Sequence, residues 1–116
     1  MADSDCLFCK IVAGEISADI VHETDSTMAF RDLEPQAPVH VLVIPKQHQP
    51  NAAALVGADP SGLAEVIASA HVVAVTEGIA ESGYRLVANT GADAHQTVFH
   101  AHVHVLGGRT MSWPPG

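Results

Sequence analysis

Only one segment of this chain, from Asp59-Pro60 to about Glu81, has the length and apolar spacing of a helix able to carry the backbone across a sheet. Neighbouring parallel strands need such a crossover between them, whereas antiparallel strands need only a turn. Strand-like runs are more numerous: Asp19 to Glu23, Thr27 to Arg31, Val39 to Ile44, Tyr84 to Ala88, and a final run from Phe99. The chain is therefore expected to be α+β, with an antiparallel sheet of about five strands, one long helix and a short N-terminal helix. At 116 residues it has room for one hydrophobic core, so residues 1–116 are read as one domain.

Local signals set the expected boundaries. Cys6 to Ala13 has helical spacing and Gly14 ends it. Thr24-Asp25-Ser26 turns the first two strands into a hairpin, Pro35 and Pro38 precede the third, Pro45 closes it, and Pro50 marks a loop. Asp59 and Pro60 start the long helix as cap and first residue, and Gly83 is the expected stop. Its main apolar stripe is Leu63, Val66, Ile67, Ala70, Val73 and Ala74, with a second edge at Val72, Val75 and Ile79. Two apolar edges on one helix predict an oligomer.

The final strand carries the chemistry. In Phe99-His100-Ala101-His102-Val103-His104-Val105-Leu106, three histidines alternate with apolar residues. A strand places alternate side chains on opposite faces, so the imidazoles share one face and Phe99, Ala101, Val103 and Val105 pack on the core. Imidazole is costly to bury without partners and exchanges protons near neutral pH, so the row is read as a chemical or metal site. His102 and His104, two apart on a strand, suit catalytic zinc. They equally suit a histidine nucleophile with a neighbouring donor to phosphate oxygens. The preceding loop, Asn89 to Thr97, offers amide, hydroxyl and backbone donors of the kind an anion needs.

Charge and cysteines narrow the classes. Five basic residues against thirteen acidic ones give a net charge of −8, which argues against nucleic-acid binding and requires local donors for any anionic substrate. No run reaches membrane-spanning length, and the acidic start lacks a signal-peptide pattern, so a cytoplasmic location is expected. Both cysteines lie in Cys6-Leu7-Phe8-Cys9, a spacing that fits half a zinc site, a redox pair or two reduced thiols in a helix.

His100-Ala101-His102-Val103-His104-Val105-Leu106 resembles the signature of the histidine triad (HIT) superfamily. Phe30 to Leu33, Pro35 to Lys46, Tyr84 to Asn89 and the ending Leu106 to Gly116 with Trp-Pro-Pro-Gly are similar to its Hint branch, so the resemblance covers nearly the whole chain. It implies a homodimer that binds purine nucleoside monophosphate-type molecules and hydrolyses nucleoside phosphoramidates and acyl-nucleotides. In that pattern His102 attacks the α-phosphorus and His104 donates to a phosphate oxygen. His40 orients or relays protons, and Thr97 helps protonate the departing amine. Asn89, Gln96 and Thr97 contact phosphate, Asp32 the ribose hydroxyls, and Phe8, Ile11, Phe30 and Leu33 the base. Trp113 reaches the partner's site. The resemblance also implies a structural Zn2+ on Cys6, Cys9, His48 and His100, as in bacterial members.

Three residues depart from the family pattern: Arg31 for histidine at the edge of the base pocket, His95 for glycine beside the phosphate loop, and Thr97 for serine. His22 and His71 are read as surface or satisfied histidines, and His95 likewise as a bystander. Two other functions fit the residues, a nucleotide-binding regulator with incidental turnover and a zinc-dependent hydrolase using His102 and His104.

Overall fold

The computed structural model describes residues 3–116, so Met1 and Ala2 of the expected domain lie outside the described residues. Helix α1 (Leu7–Val12) precedes strands β1 (Ile20–Glu23), β2 (Thr27–Arg31) and β3 (Val39–Pro45). Helices α2 (Ala52–Ala58) and α3 (Pro60–Thr76) follow, then β4 (Tyr84–Val87) and β5 (Val103–Gly107). The strands form one sheet in the order β1-β2-β3-β5-β4, antiparallel at every pairing, as the single long helix predicts.

Alternation along the central strand β3 divides the molecule. Val41 and Val43 face α3, where Ala29, Val66, Ala70, Val73, Val103 and Val105 complete a core that excludes water. Leu42 and Ile44 face the other way and pack with Met28, Phe30 and the α1 residues Phe8 and Ile11. His40 shares that second face by period, and His104 joins it because Leu42 pairs with His104 across the β3–β5 ladder. The second face is thus apolar towards β2 and imidazole-bearing towards β5.

Several boundaries differ from the sequence expectation, each for a local reason. Helix α3 stops at Thr76, short of Glu81, because Gly78 takes φ +77 and closes a Schellman motif. Gly78 N–H donates to the Val75 carbonyl at 3.1 Å and Ile79 N–H to the Ala74 carbonyl at 3.0 Å. Ile79 then folds into the core instead of extending the helix's second edge. Ile67, expected in the main stripe, is exposed, as are Val72 and Val75. Helix α2 was not expected after Pro50; Asn51 caps it by accepting from Ala54 N–H at 2.8 Å, and Leu55 is its only buried residue.

The histidine strand is shorter than its sequence alternation suggests. Regular pairing begins at Val103, opposite Val43, and His100 and His102 lie upstream of it. Beyond Pro45 the chain turns away, and Ala101 N–H donates to Gln49 carbonyl at 2.7 Å outside the ladder. Ala101, Val103 and Val105 are buried as expected, but Phe99, assigned to the same core face, is 59% exposed. Phe99 precedes the paired segment, so the alternation of the ladder does not turn it towards the core.

Candidate active cleft and metal centre

A cleft of about 740 Å3 opens on the α1 side of the sheet. Phe8, Ile11, Phe30 and Leu42 form its apolar wall, and His40, Asn89, Thr97, His102 and His104 its polar one. Asp32 lies between the two. Most residues the sequence reading assigned to a nucleotide site therefore meet in one place. Leu33 does so only at the rim, where it is 97% exposed.

Hydrogen bonds fix which nitrogen of each ring carries the proton. His102 Nδ1 lies 2.7 Å from the His100 carbonyl oxygen, which can only accept. His102 therefore donates through Nδ1–H, and the lone pair of its neutral ring is at Nε2. Gln36 N–H donates to His40 Nδ1 at 3.0 Å, so the proton of His40 is on Nε2. That Nε2–H donates to His104 Nδ1 at 2.9 Å, which leaves His104 with an Nε2–H for the cleft it lines. One ring is set as a lone-pair donor and its neighbour, 5.1 Å away between centroids, as a hydrogen-bond donor.

Burial disfavours the charged forms of His104 and His40. Desolvation, with smaller contributions from His102 and His40, lowers the His104 pKa to about 4 although Asp32 opposes the shift. Desolvation likewise lowers that of His40, again against Asp32, whose Oδ2 is 3.5 Å from His40 Nε2. Asp32 also holds its own turn, because Oδ1 accepts from Glu34 N–H at 2.8 Å. Asp32, His40 and His104 are close enough to form a metal-capable trio, yet the ring nitrogens they would offer are already committed to one another. His102 belongs to no such group among the described residues.

Two predicted phosphate or substrate contacts fall elsewhere. Gln96 is buried and does not line the cleft; its Oε1 accepts from Gly91 N–H at 3.0 Å, and its Nε2 donates to Pro50 and Val98 carbonyls at 2.7 and 3.0 Å. Its amide is spent on shaping the loop between β4 and β5. Trp113 is 82% exposed and does not line the cleft. Of the departures, Arg31 reaches the rim but its guanidinium forks onto Glu77 at 2.6 and 3.1 Å. His95 lines the cleft in the left-handed region at φ 63, a strained position for a residue with a Cβ. Ile16, Ala18, Leu42 and Val98 also line it and had no sequence signal beyond being apolar.

Behind the cleft, Cys6, Cys9, His48 and His100 bring their ligand atoms together. Sγ of Cys6 and of Cys9 lie 3.4 and 3.6 Å from His100 Nδ1, Cys9 Sγ is 3.4 Å from His48 Nδ1, and the two Nδ1 atoms are 3.2 Å apart. A tetrahedron with the usual zinc–sulfur and zinc–nitrogen bond lengths has edges of about 3.3–3.8 Å, so the cluster has the size of a four-coordinate Cys2His2 centre. His100 is prepared for that role, since its Nε2–H donates to the Pro45 carbonyl at 2.8 Å and leaves Nδ1 unprotonated. Burial pushes the Cys9 thiol up, so a bound cation would be what holds it as thiolate.

Fold and cleft together define a class: small α+β proteins with a histidine row at the junction of a nucleotide-sized cleft and a Cys/His metal-capable cluster. The HIT domain sequence profile matches residues 13–111. The chain belongs to the HIT family. It is 45% identical to a 14 kDa zinc-binding protein of Zea mays over 98% of this chain and 90% of the relative. It is 44% identical to the adenylylsulfatase HINT1 of Arabidopsis thaliana, over 99% of this chain and 79% of that protein. Among solved structures, a HIT family hydrolase of Legionella pneumophila superposes with TM-score 0.92 at 48% identity, covering 97% of this chain and all 100% of the other.

Proposed function

We propose that residues 1–116 act as one HIT domain that hydrolyses purine nucleoside phosphoramidates and acyl-nucleotides to the nucleoside monophosphate, with His102 as nucleophile. The observation that carries this reading is the His102 Nδ1–H bond to His100 carbonyl, which leaves Nε2 as the free lone pair in the cleft. Nε2 attacks the α-phosphorus, the phosphorus–nitrogen or phosphorus–oxygen bond to the leaving group breaks, and a nucleotidyl-histidine forms. Water then attacks the phosphorus, the phosphorus–Nε2 bond breaks, and the monophosphate leaves. His104 Nε2–H donates to a non-bridging oxygen, where the net charge of −8 supplies no help. In this reading Thr97 assists the leaving group, Asn89 meets phosphate and the remaining oxygen of Asp32 accepts from ribose, which their shared place in the cleft lining supports. Phe8, Ile11 and Phe30 offer the base an apolar seat.

The structural cation is Zn2+ on Cys6, Cys9, His48 and His100: two thiolates balance its charge, and the four donors leave no open position for substrate. The working form is a homodimer, supported by the exposed Ile67, Val72 and Val75 on α3 and by the unpaired edge of β4. Trp113, remote from its own cleft, is then free to reach the partner's. Among the described residues no helix is long and apolar enough to cross a membrane, and the acidic surface disfavours nucleic acid; both fit a cytoplasmic enzyme.

The test is to mix the protein with adenosine phosphoramidate, follow AMP release, and seek an adenylylated His102 by mass spectrometry. Adenylyl sulfate, suggested by the name of the Arabidopsis relative, is the second substrate to try. His102→Ala abolishes both turnover and adduct; turnover that persists in this variant overturns the mechanism.

A further inference from the structure

We propose that the Cys6–Cys9–His48–His100 centre, besides holding the fold, positions the active cleft: metal bound there sets the His100 carbonyl that orients His102 and the α1 residues that wall the cleft. The proposal rests on the zinc and nucleotide readings above and goes beyond them in joining the two sites.

The link is residue by residue. His100 has its ring in the metal cluster and its own carbonyl on His102 Nδ1 at 2.7 Å. Two further bonds attach this segment to the exit of β3, His100 Nε2–H to Pro45 carbonyl and Ala101 N–H to Gln49 carbonyl, and His48 lies on that same exit. A metal joining His48 to His100 therefore adds a third tie between that exit and the peptide that holds the nucleophile. On the other side, Cys6 and Cys9 flank Phe8, whose ring meets His100 at 5.9 Å and His102 at 5.3 Å, edge to face in both cases. One turn of α1 thus offers sulfur to the metal and an aromatic ring to both histidines, and Ile11 continues the cleft wall.

Without a cation, the four side chains meet one another directly only through weak thiol–imidazole contacts and the His48–His100 contact. Coordinate bonds of about 2.0–2.3 Å replace these with a rigid frame. His100 and Phe8 are positioning residues in this account, and His102 is the catalytic one.

The experiment compares zinc-loaded and metal-free protein under conditions where circular dichroism shows both folded, reading the His102 Nδ1–H proton resonance by NMR. The loaded chain should show it sharp and slow to exchange with water, and the metal-free chain should show it broadened or lost. An unchanged resonance overturns the proposal. Cys6→Ser removes the soft ligand while keeping a side chain that caps α1, as Cys6 does by accepting from Cys9 N–H, and should give the same loss. Should the metal-free chain unfold, exchange of Zn2+ for the larger Cd2+ keeps a folded, loaded protein, and the resonance must then shift; if it stays in place, the two sites are uncoupled.

A second arm measures AMP affinity by calorimetry, expected to weaken about 10-fold on metal removal, with AMP tightening Zn2+ by the same factor. Equal AMP affinity with and without metal in folded protein also overturns the coupling. Failure of AMP to bind even the zinc-loaded chain would refute the nucleotide reading instead, and the His102 resonance would still decide whether the metal orients that ring.

Discussion

His40 separates two contributions of one imidazole, because its two nitrogens serve different partners. Nδ1 accepts from Gln36 N–H at 3.0 Å and Nε2–H donates to His104 Nδ1 at 2.9 Å. An asparagine amide places its oxygen near the position of Nδ1, whereas a glutamine amide places its nitrogen near that of Nε2. His40→Asn should therefore keep the Gln36 bond and lose the one to His104; His40→Gln should do the reverse. Either change shrinks a side chain that is only 6% exposed, so both variants lose some stability from packing. Each variant also orphans one group: His40→Gln leaves Gln36 N–H, at about 1 kcal/mol because Gln36 is exposed and water can partly replace the ring, and His40→Asn leaves the half-buried His104 Nδ1 at a similar cost. The two losses offset, so the melting temperatures of His40→Gln and His40→Asn should lie within about 4 °C of each other.

Activity, unlike stability, should separate the two variants. Without its donor, His104 Nδ1 no longer fixes the proton at Nε2, and the phosphate loses a preorganised partner worth roughly 10²–10³ in kcat. His40→Asn should fall by about that factor, while His40→Gln stays within about tenfold of the parent chain. The assays are thermal unfolding and AMP release from adenosine phosphoramidate. Equal loss of turnover in the two variants, or a larger loss in His40→Gln, would refute the assigned proton positions.

Three other outcomes follow from the same structure. The folded chain holds His104 near pKa 4 against an ordinary value of 6.5, so the unfolded chain takes up a proton first as the pH drops. This contribution to stability is complete above pH 6.5 and declines from there through pH 4, and the difference in melting temperature between His104→Asn and the parent should change across that window; a constant offset would contradict it. Chelation of the metal should lower the melting temperature by more than about 10 °C, since structural zinc can supply folding energy outright, and an unchanged melt would remove the structural role. Gly78→Ala should cost about 1–2 kcal/mol by placing a Cβ at φ +77, whereas Gly57→Ala inside α2 should stabilise by about 0.5–1 kcal/mol; neither Cβ meets an atom within 4 Å, so denaturant melts read the backbone alone.

Patterns with a short period were legible in the sequence. Alternation found the strands, and β2 begins and ends where the sequence places it, at Thr27 and Arg31. The resemblance of the motif named Phe8, Ile11, Phe30, Asp32, Leu33, His40, Asn89, Thr97, His102 and His104, which line the cleft and share no local period, but it missed Ile16, Ala18, Leu42 and Val98. Helix ends were less legible: Gly78 and Gly83 are both plausible stops, and only the burial of Ile79 after the first of them decides which acts. The short helix α2 had its cap in Asn51, but Ala-Ala-Ala-Leu carries too little amphipathic pattern to announce itself.

By itself the sequence determined that the sheet is antiparallel, that three imidazoles alternate near its centre, and that two thiols sit three residues apart at the start of a helix. These follow from the length of one helix and from side-chain period, which are properties of neighbouring residues. The family resemblance already divided the imidazoles between metal and cleft, and tertiary structure alone decided how each ring is held. The Pro45 carbonyl turns His100 towards the thiols, the His100 carbonyl turns the lone pair of His102 into the cleft, and Gln36 N–H sets His104 as a donor through His40. It also committed the Gln96 amide to backbone groups of its own loop and of Pro50, and left Phe99 exposed. A ring's proton position depends on backbone groups that other segments bring within about 3 Å. No spacing along the chain records those partners.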